Sequence, residues 1–508
     1  MRPGRCVSRV LGWGLLVVIL AIRITDICQK EQLHPDEVYS VMIARCNPAF
    51  YRAVPPGTYT GNGLQGQLMA MHPLPDDISR LYDENHDVPH ASLYYMALRV
   101  ALEGQDGWNP RDVALRGGVL NLFLLVITYL LLWRLMYALT RGDPWLTAAS
   151  CAIAFLAPGA GECVVLVREY QMAMLGVVWY AYALWSLYSR AGYAGRGRRW
   201  VRLSYLVLSA ALCLSTGYLN AFWLMIFPVA WFGALRVSGI SRDGERFWPL
   251  VWQVVLASVC ALVLARGIYA GYFHFLTHGS VHKAKAFSDF GGSLCDAFIR
   301  DIARQGLTLP LIVLLAMCVA WRMVRLRFNV DVGHAGGCPD VCSTSFLVAM
   351  SAVAVATVVA VQYCSLLRQA RYSYPYLPML CGLWPLCAAC LPPRMGKAAC
   401  ACVVAWFVAL GTFTSPRVDY GWERQAMLLR DGAVFHGLNP NELPLLYPVL
   451  NPAAEYVVEP KDSVLDFEAA AATVIHTPPQ GLPAGMRAER ATGPLRIIYR
   501  DETLRSRP

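Results

Sequence analysis

Charge is what this chain has least of. Only 15% of its 508 residues are Asp, Glu, Lys or Arg, against roughly 25% in soluble domains. With 56% hydrophobic residues beside that, a water-covered globular surface is excluded. Apolar stretches of about 17–20 residues recur, the length that crosses a hydrocarbon core of roughly 30 Å. Acids are scarcer still within those stretches. No A-x-A-like cleavage site follows the first of them, so it reads as an uncleaved anchor rather than a removed signal peptide. No repeat at solenoid periods occurs, and no two halves look alike. The net charge of +10 sits in short loops between apolar runs, which gives no nucleic-acid-binding face. The chain reads as an all-α polytopic membrane protein.

About eleven spans are expected, near residues 10–28, 113–133, 145–160, 170–187, 203–218, 219–235, 248–267, 307–322, 345–363, 376–391 and 398–414. Residues 203–235 read equally well as one hairpin of short helices, so the count runs from about ten to about twelve. Basic residues set the orientation. Arg2, Arg5 and Arg9 precede the first span; Arg190, Arg196, Arg198, Arg199 and Arg202 crowd one loop; Arg322, Arg325 and Arg327 occupy another; Arg394 and Lys397 a third. Eleven spans put all of them on one side, which the positive-inside rule makes cytoplasmic. The N-terminus is then cytoplasmic and the C-terminus external, periplasmic or luminal.

Of the 17 cysteines, Cys151, Cys213, Cys260, Cys381, Cys387 and Cys390 fall within spans as small apolar packing residues. Cys46, Cys295 and Cys364 face outside and are the candidates for pairing, with connectivity open. His334, Cys338 and Cys342 make a metal pattern without a fourth ligand, so no metal ligands are assigned.

Residues 1–414 form the membrane module, with a long first external loop at 29–112 and a middle one at 268–306. Residues 415–508 form a small external α+β domain or tail. Loops beyond about 12–15 residues usually carry function or structure of their own. The Gly-rich stretch 57–66 predicts irregular chain, and 91–102 an interfacial helix. In the tail, Tyr456-Val457-Val458 and Leu495-Arg496-Ile497-Ile498-Tyr499 are β-like.

Four clusters on the external side carry chemistry. The run Leu33-His34-Pro35-Asp36-Glu37 follows the first span. Adjacent residues do not share a face, so one carboxylate can act as a base while the other orients it or receives the acceptor; the bland alternative is a charged collar with His34-Pro35 as a helix stop. Tyr82-Asp83-Glu84-Asn85-His86-Asp87-Val88-Pro89-His90 is dense in acids and histidines and leads into Tyr94 and Tyr95, a pair typical of membrane interfaces. Val167-Arg168-Glu169-Tyr170-Gln171 and Arg368-Gln369-Ala370-Arg371-Tyr372-Ser373-Tyr374-Pro375 add external arginines. An arginine fork suits a phosphate, and its alternative partners are Glu162, Glu169 or lipid headgroups. In the middle loop, His274, His278 and His282 share a helical face next to Lys283 and Lys285. They read as interfacial residues ahead of a metal site, and a divalent cation stays open.

Carboxylates and arginines at one water–lipid interface suit a sugar leaving a lipid-linked phosphate. In the order of these elements, the chain resembles the GT-C superfamily of multi-spanning glycosyltransferases that use polyprenyl-phosphate sugars. His34-Pro35-Asp36-Glu37 is similar to the acidic motif of their first external loop, in wording nearest the glycolipid-anchor mannosyltransferases. The stretch from His86 to Tyr95 resembles the His-Pro-Pro-Leu-Tyr-Tyr run of bacterial members related to protein O-mannosyltransferases, with Val88 and His90 departing from it. Arg168-Glu169-Tyr170 resembles their Arg-x-Tyr element, with Leu166 where an acid is usual. Arg371-Tyr372 with Pro375 and Pro378 is similar to their Arg-Tyr-x-x-Pro stretch. The resemblance implies a GT-C-like bundle with interfacial helices in the first loop. It implies an inverting transfer to a hydroxyl of a protein, lipid or glycan, with Asp36 as base and Glu37 assisting. His34, His86, Asp87, His90, Tyr94, Tyr95, Arg168, Tyr170, Arg368, Arg371 and Tyr372 are the candidate substrate contacts. A transporter or flippase of a lipid-linked substrate is the alternative. Transporters concentrate ionisable groups near mid-membrane in broken helices and repeated halves, a pattern this sequence lacks.

Overall fold

In the computed structural model the described residues are 3–45, 54–69, 73–84, 92–105, 109–189, 196–238 without 218, 244–268, 340–364, 370–414 without 389, and most of 422–500, with scattered residues of 310–323. His86, Asp87, His90, Arg368, the histidines of the middle loop, His334, Cys338, Cys46 and Cys295 lie outside them.

Long apolar runs close their own backbone hydrogen bonds, which is what a lipid environment demands. Among the described residues, six helices are long and apolar enough to cross a membrane, or seven if one bent pair counts as a single span. They are α1 (Pro3–Cys28), α6 (Pro110–Leu139), α11 (Asn220–Val237), α12 (Gly244–Ile268), α13 (Val341–Cys364) and α15 (Pro393–Phe413). The bent pair is α7 (Pro144–Leu156) with α8 (Pro158–Val165), turned by 56°. Two further helices, α9 (Tyr170–Ser189) and α10 (Arg196–Ser215), stand at other expected spans, and most of 307–322 falls outside the described residues. Residues 203–235 fall in two helices joined by a short link. The expected span at 376–391 is broken. Pro378 and Pro385 lie in it, and it forms a 3-10 turn (Leu377–Gly382) followed by the short α14 (Leu383–Ala388).

The bend has a residue-level cause. Ala157 precedes Pro158 and is extended (φ −58°, ψ 146°), the conformation a following proline favours. The carbonyl of Phe155 that the break releases accepts a hydrogen bond from Arg23 Nη2 at 3.0 Å. Arg23 pairs with Asp26 at 2.9 Å, and both are buried in the first span. A Cβ on Gly161 would come within 2.5 Å of the same guanidinium. The first span is therefore not free of acids.

The first loop holds α2 (Pro35–Ala44), β1 (Gly57–Thr60), α3 (Gly61–Met69), α4 (Leu74–Glu84) and α5 (Ser92–Ala101). The expected irregular stretch 57–66 is instead a strand and a helix. In the tail, α16 (Trp422–Leu428) precedes β2 (Ala433–His436), β3 (Glu455–Glu459), β4 (Ala472–Ile475), β5 (Met486–Arg490) and β6 (Arg496–Arg500). The sheet order is β1-β3-β2-β4-β6-β5. β2 runs parallel to β3 and β4, and the other pairings are antiparallel. β1 thus puts the first loop into the tail's own sheet, with Gly57 opposite Val458 and Thr60 opposite Glu455. Gly61 and Asn62 donate to the carbonyls of Ala454 and Pro452, both at 2.9 Å. The tail is continuous with the first loop rather than an appendage.

Candidate active site

Asp36 and Glu37 are neighbours in sequence and point to different sides, since each helical residue turns the chain by about 100°. Helix α2 starts at them. His34 is the N-cap, its Nδ1 accepting the Asp36 N–H at 3.0 Å, and Pro35 sits in the first turn, where its fixed φ fits and no N–H is needed. Glu37 closes the capping box by accepting the His34 N–H at 2.5 Å. The run expected as a helix stop in the collar reading is a helix start.

The Glu37 side is dry. Its carboxylate is wholly buried, paired with the Lys30 ammonium, and accepts the Val167 N–H at 2.6 Å. Lys30 also donates to the Val165 carbonyl at 2.8 Å. The Asp36 side is open: 22% of its side chain is exposed, and its Oδ2 lies 2.5 Å from Arg371 Nη2.

Arg168 approaches from the loop between α8 and α9. It is 4% exposed, and its Nη1 donates to the Asp36 carbonyl at 3.1 Å and to Ser40 Oγ at 3.3 Å. Glu169 stands 3.6 Å from its Nε and accepts the Tyr95 hydroxyl at 2.7 Å. Among the described residues, the Nε of both Arg168 and Arg371 and the hydroxyl of Tyr170 are buried without a hydrogen-bond partner. Such groups cost about 1–3 kcal/mol each when unmet. Tyr170 meets Tyr372 edge to face at 6.3 Å, and the Arg371 guanidinium lies 5.7 Å from the Tyr372 ring centre.

Arg371 Nη1 sits 3.0 Å from His34 Nε2 and 3.5 Å from Nδ1. Near-equal distances to both ring nitrogens put it over the imidazole face, because an in-plane bond to one nitrogen leaves the other far away. That is stacking. Burial is the largest influence on His34 and pulls it down to about 4; Asp36 opposes this, and Arg371 and Arg168 add to it. The ring is neutral near pH 7. With Nδ1 accepting, its proton is on Nε2 by the hydrogen-bond pattern.

The segment bearing Arg371 is pinned to two helices. Gln362 on α13 donates to Ser373 Oγ at 2.8 Å, and the Tyr376 hydroxyl donates to Asn220 on α11 at 2.5 Å. Three residues on from Arg371, Tyr374 joins Ile153, Ala154, Ala157, Ala160, Leu377 and Pro378 around a small apolar cavity at the α7–α8 bend.

Of the expected site residues, Asp36, Glu37, His34, Tyr95, Arg168, Tyr170, Arg371 and Tyr372 come together. Tyr94 and Tyr95 are wholly buried instead of lying at a lipid–water interface. Tyr94 bonds Asn121 at 3.3 Å, and Asn121 in turn donates to the Val164 and Leu166 carbonyls. Lys30, Ser40 and Asn121 join them without belonging to any of the four sequence clusters. Asn121 left a signal, as a lone amide in an apolar run; Lys30 left none. For a divalent ion the described donors do not fit. No three His, Cys, Asp or Glu gather among them, and the Glu37 oxygens are already filled, so no step below is routed through a metal.

No family model and no curated protein sequence matches this chain. Solved structures do. The archaeal oligosaccharyltransferase of Archaeoglobus fulgidus, in complex with zinc and sulfate, has a TM-score of 0.46 at 9% identity, over 87% of this chain and 62% of that one; the chain spans about three fifths of its length. ArnT from Cupriavidus metallidurans in the apo state has a TM-score of 0.49 at 14% identity, covering 87% of this chain and 85% of that one. ArnT from the same organism bound to undecaprenyl phosphate reaches 0.52 at 12% identity, over 96% of this chain and 97% of that one. At that identity the likeness speaks to fold alone, and this chain has the fold of that ArnT structure.

Proposed function

We propose that the protein is a membrane glycosyltransferase that moves a sugar from a polyprenyl-phosphate donor to an acceptor hydroxyl, with inversion at the anomeric carbon. The observation that carries this is the partly exposed Asp36 carboxylate beside the buried Arg168 and the largely buried Arg371, each with a buried Nε that lacks a hydrogen-bond partner. A solved protein of the same fold is described as bound to undecaprenyl phosphate, which supports a lipid-phosphate donor.

The acceptor oxygen attacks the anomeric carbon while the bond from that carbon to the phosphate oxygen breaks. Asp36 takes the hydroxyl proton as general base. The departing phosphate gains negative charge, and Arg371 and Arg168 are the donors within reach of it. Arg371 also holds Asp36, so a bound phosphate competes for that guanidinium and leaves the carboxylate more basic. Tyr170 offers the phosphate a further donor. The donor class is an undecaprenyl- or dolichyl-phosphate hexose or pentose, mannose- or arabinose-like. The acceptor is a protein, lipid or glycan. On the eleven-span reading of the sequence, the positive-inside rule puts this chemistry on the external face, with the N-terminus cytoplasmic. The transporter reading gains nothing from the Arg23–Asp26 pair, which is occupied in holding a helix bend.

The test is transfer in vitro from a panel of polyprenyl-phosphate sugars to a lipid extract. Asp36→Asn should lose about 10²–10⁴-fold in rate with normal expression. Undiminished transfer by that variant rules out the base.

A further inference from the structure

The Asp36 base and the Arg168 phosphate donor belong to segments more than 120 residues apart in the chain. They therefore need a physical joint, and Lys30 with Glu37 supplies one. Lys30 lies between the end of α1 and the start of α2, and Glu37 is on the first turn of α2. Three groups converge on the Glu37 carboxylate: the Lys30 ammonium, the His34 N–H at 2.5 Å and the Val167 N–H at 2.6 Å. Lys30 reaches past Glu37 to the Val165 carbonyl at 2.8 Å. The chain is thus gripped at the end of α8, at Val165, and in the following loop at Val167, immediately before Arg168. Glu37 is wholly buried and Lys30 nearly so, with 9% of its side chain exposed. Burial pulls the Lys30 ammonium below its ordinary range, and Glu37 opposes that.

Resting on the glycosyltransferase reading above, we infer that Lys30 and Glu37 are positioning residues, a buried clamp that registers the Asp36 helix against the Arg168 loop. Glu37 has no role as a base in this arrangement, because both of its oxygens face N–H donors and none faces the open side. Its charge is there to be neutralised by Lys30. Removing either partner strands the other's charge in a dry site and lets the loop slip. A displacement of about 1 Å costs on the order of a hundredfold in rate.

The test uses the full-length protein in detergent or nanodiscs. Lys30→Gln and Glu37→Gln should each lower kcat about tenfold to a hundredfold, with a smaller change in the donor KM. The acid limb of the pH–rate profile, set by Asp36, should persist in both. The neutral pair Lys30→Gln with Glu37→Gln should recover rate above either single variant, since an amide pair restores hydrogen bonding without a stranded charge. If the singles fail to fold, the double variant decides alone, and it should transfer within about tenfold of the parent. A double variant that folds but stays as slow as the worse single overturns the clamp. So does loss of the acid limb in Glu37→Gln, which would make Glu37 the base. Hydrogen exchange at the Val167 amide gives a readout independent of catalysis. It should quicken in each single variant and slow again in the double; unchanged exchange also overturns the clamp. A parent protein inactive on every donor, with the exchange pattern as expected, refutes the glycosyltransferase reading and leaves the joint standing.

Discussion

Asp36 and Glu37 differ by one position and by almost everything physical. That two adjacent carboxylates take different roles is legible from helical geometry alone. Which of them faces the dry side is not, because it depends on Lys30 and Val167, and neither bears a motif. His34 shows the same limit. Its place before a proline marks a turn, but its neutral state follows from burial against Arg371. That state has a consequence in pH. The folded ring titrates near 4 instead of 6.5, so between those values the unfolded chain binds the extra proton and the folded chain does not. Stability is then complete above about pH 6.5 and is lost as pH falls toward 4, by at most about 3 kcal/mol. His34→Asn keeps a capping side chain and removes the titration. Thermal melting in detergent from pH 7 to pH 4.5 should show a smaller fall in Tm for this variant than for the parent. Parallel curves would show that His34 is not the group responsible.

Helices were the most legible level, and their interruptions the least. Apolar length placed α1, α6 and α12 well, whereas 145–160, expected as one span, breaks at Pro158. The pin that holds the break came from another helix and was hidden by the general scarcity of acids. Asp26 neutralises Arg23, which in turn serves the carbonyl of Phe155. Breaking a buried pair by removing one partner typically costs about 3–5 kcal/mol, while replacing both by apolar groups is often far milder. Asp26→Leu should therefore lower the melting temperature sharply. Arg23→Met with Asp26→Leu should recover most of the loss, short by the unmet Phe155 carbonyl, at about 1–3 kcal/mol. A double variant as unstable as Asp26→Leu alone would mean that the bend needs the guanidinium more than the pair needs neutrality.

At the scale of the whole molecule, a four-residue strand joins the first loop to the tail. Gly57-Thr58-Tyr59-Thr60 looks like turn-rich chain, and nothing local says that it pairs with residues 455–458. Pairing across that separation is set by the assembled tail, out of reach of any window of sequence. The β-like runs of the tail itself were legible. Gly61 is the tightest point of this joint, because a Cβ there would lie 2.0 Å from the Asn451 carbonyl oxygen, a backbone atom that cannot swing aside. Next along the chain, α3 touches α2, so the joint leads from the tail to the helix that carries Asp36. Gly61→Val should force loop and tail apart, costing about 1–3 kcal/mol as overpacked sites do. Limited proteolysis should then cut the first loop faster than in the parent. Under the proposed function, transfer should fall while Asp36, Arg168 and Arg371 are all still present. Deleting the tail from residue 415 should act in the same direction and further, because it also strips β1 of its only pairing partner among the described residues, β3. If Gly61→Val resists protease and transfers as well as the parent, the sheet is a local brace without reach to the site.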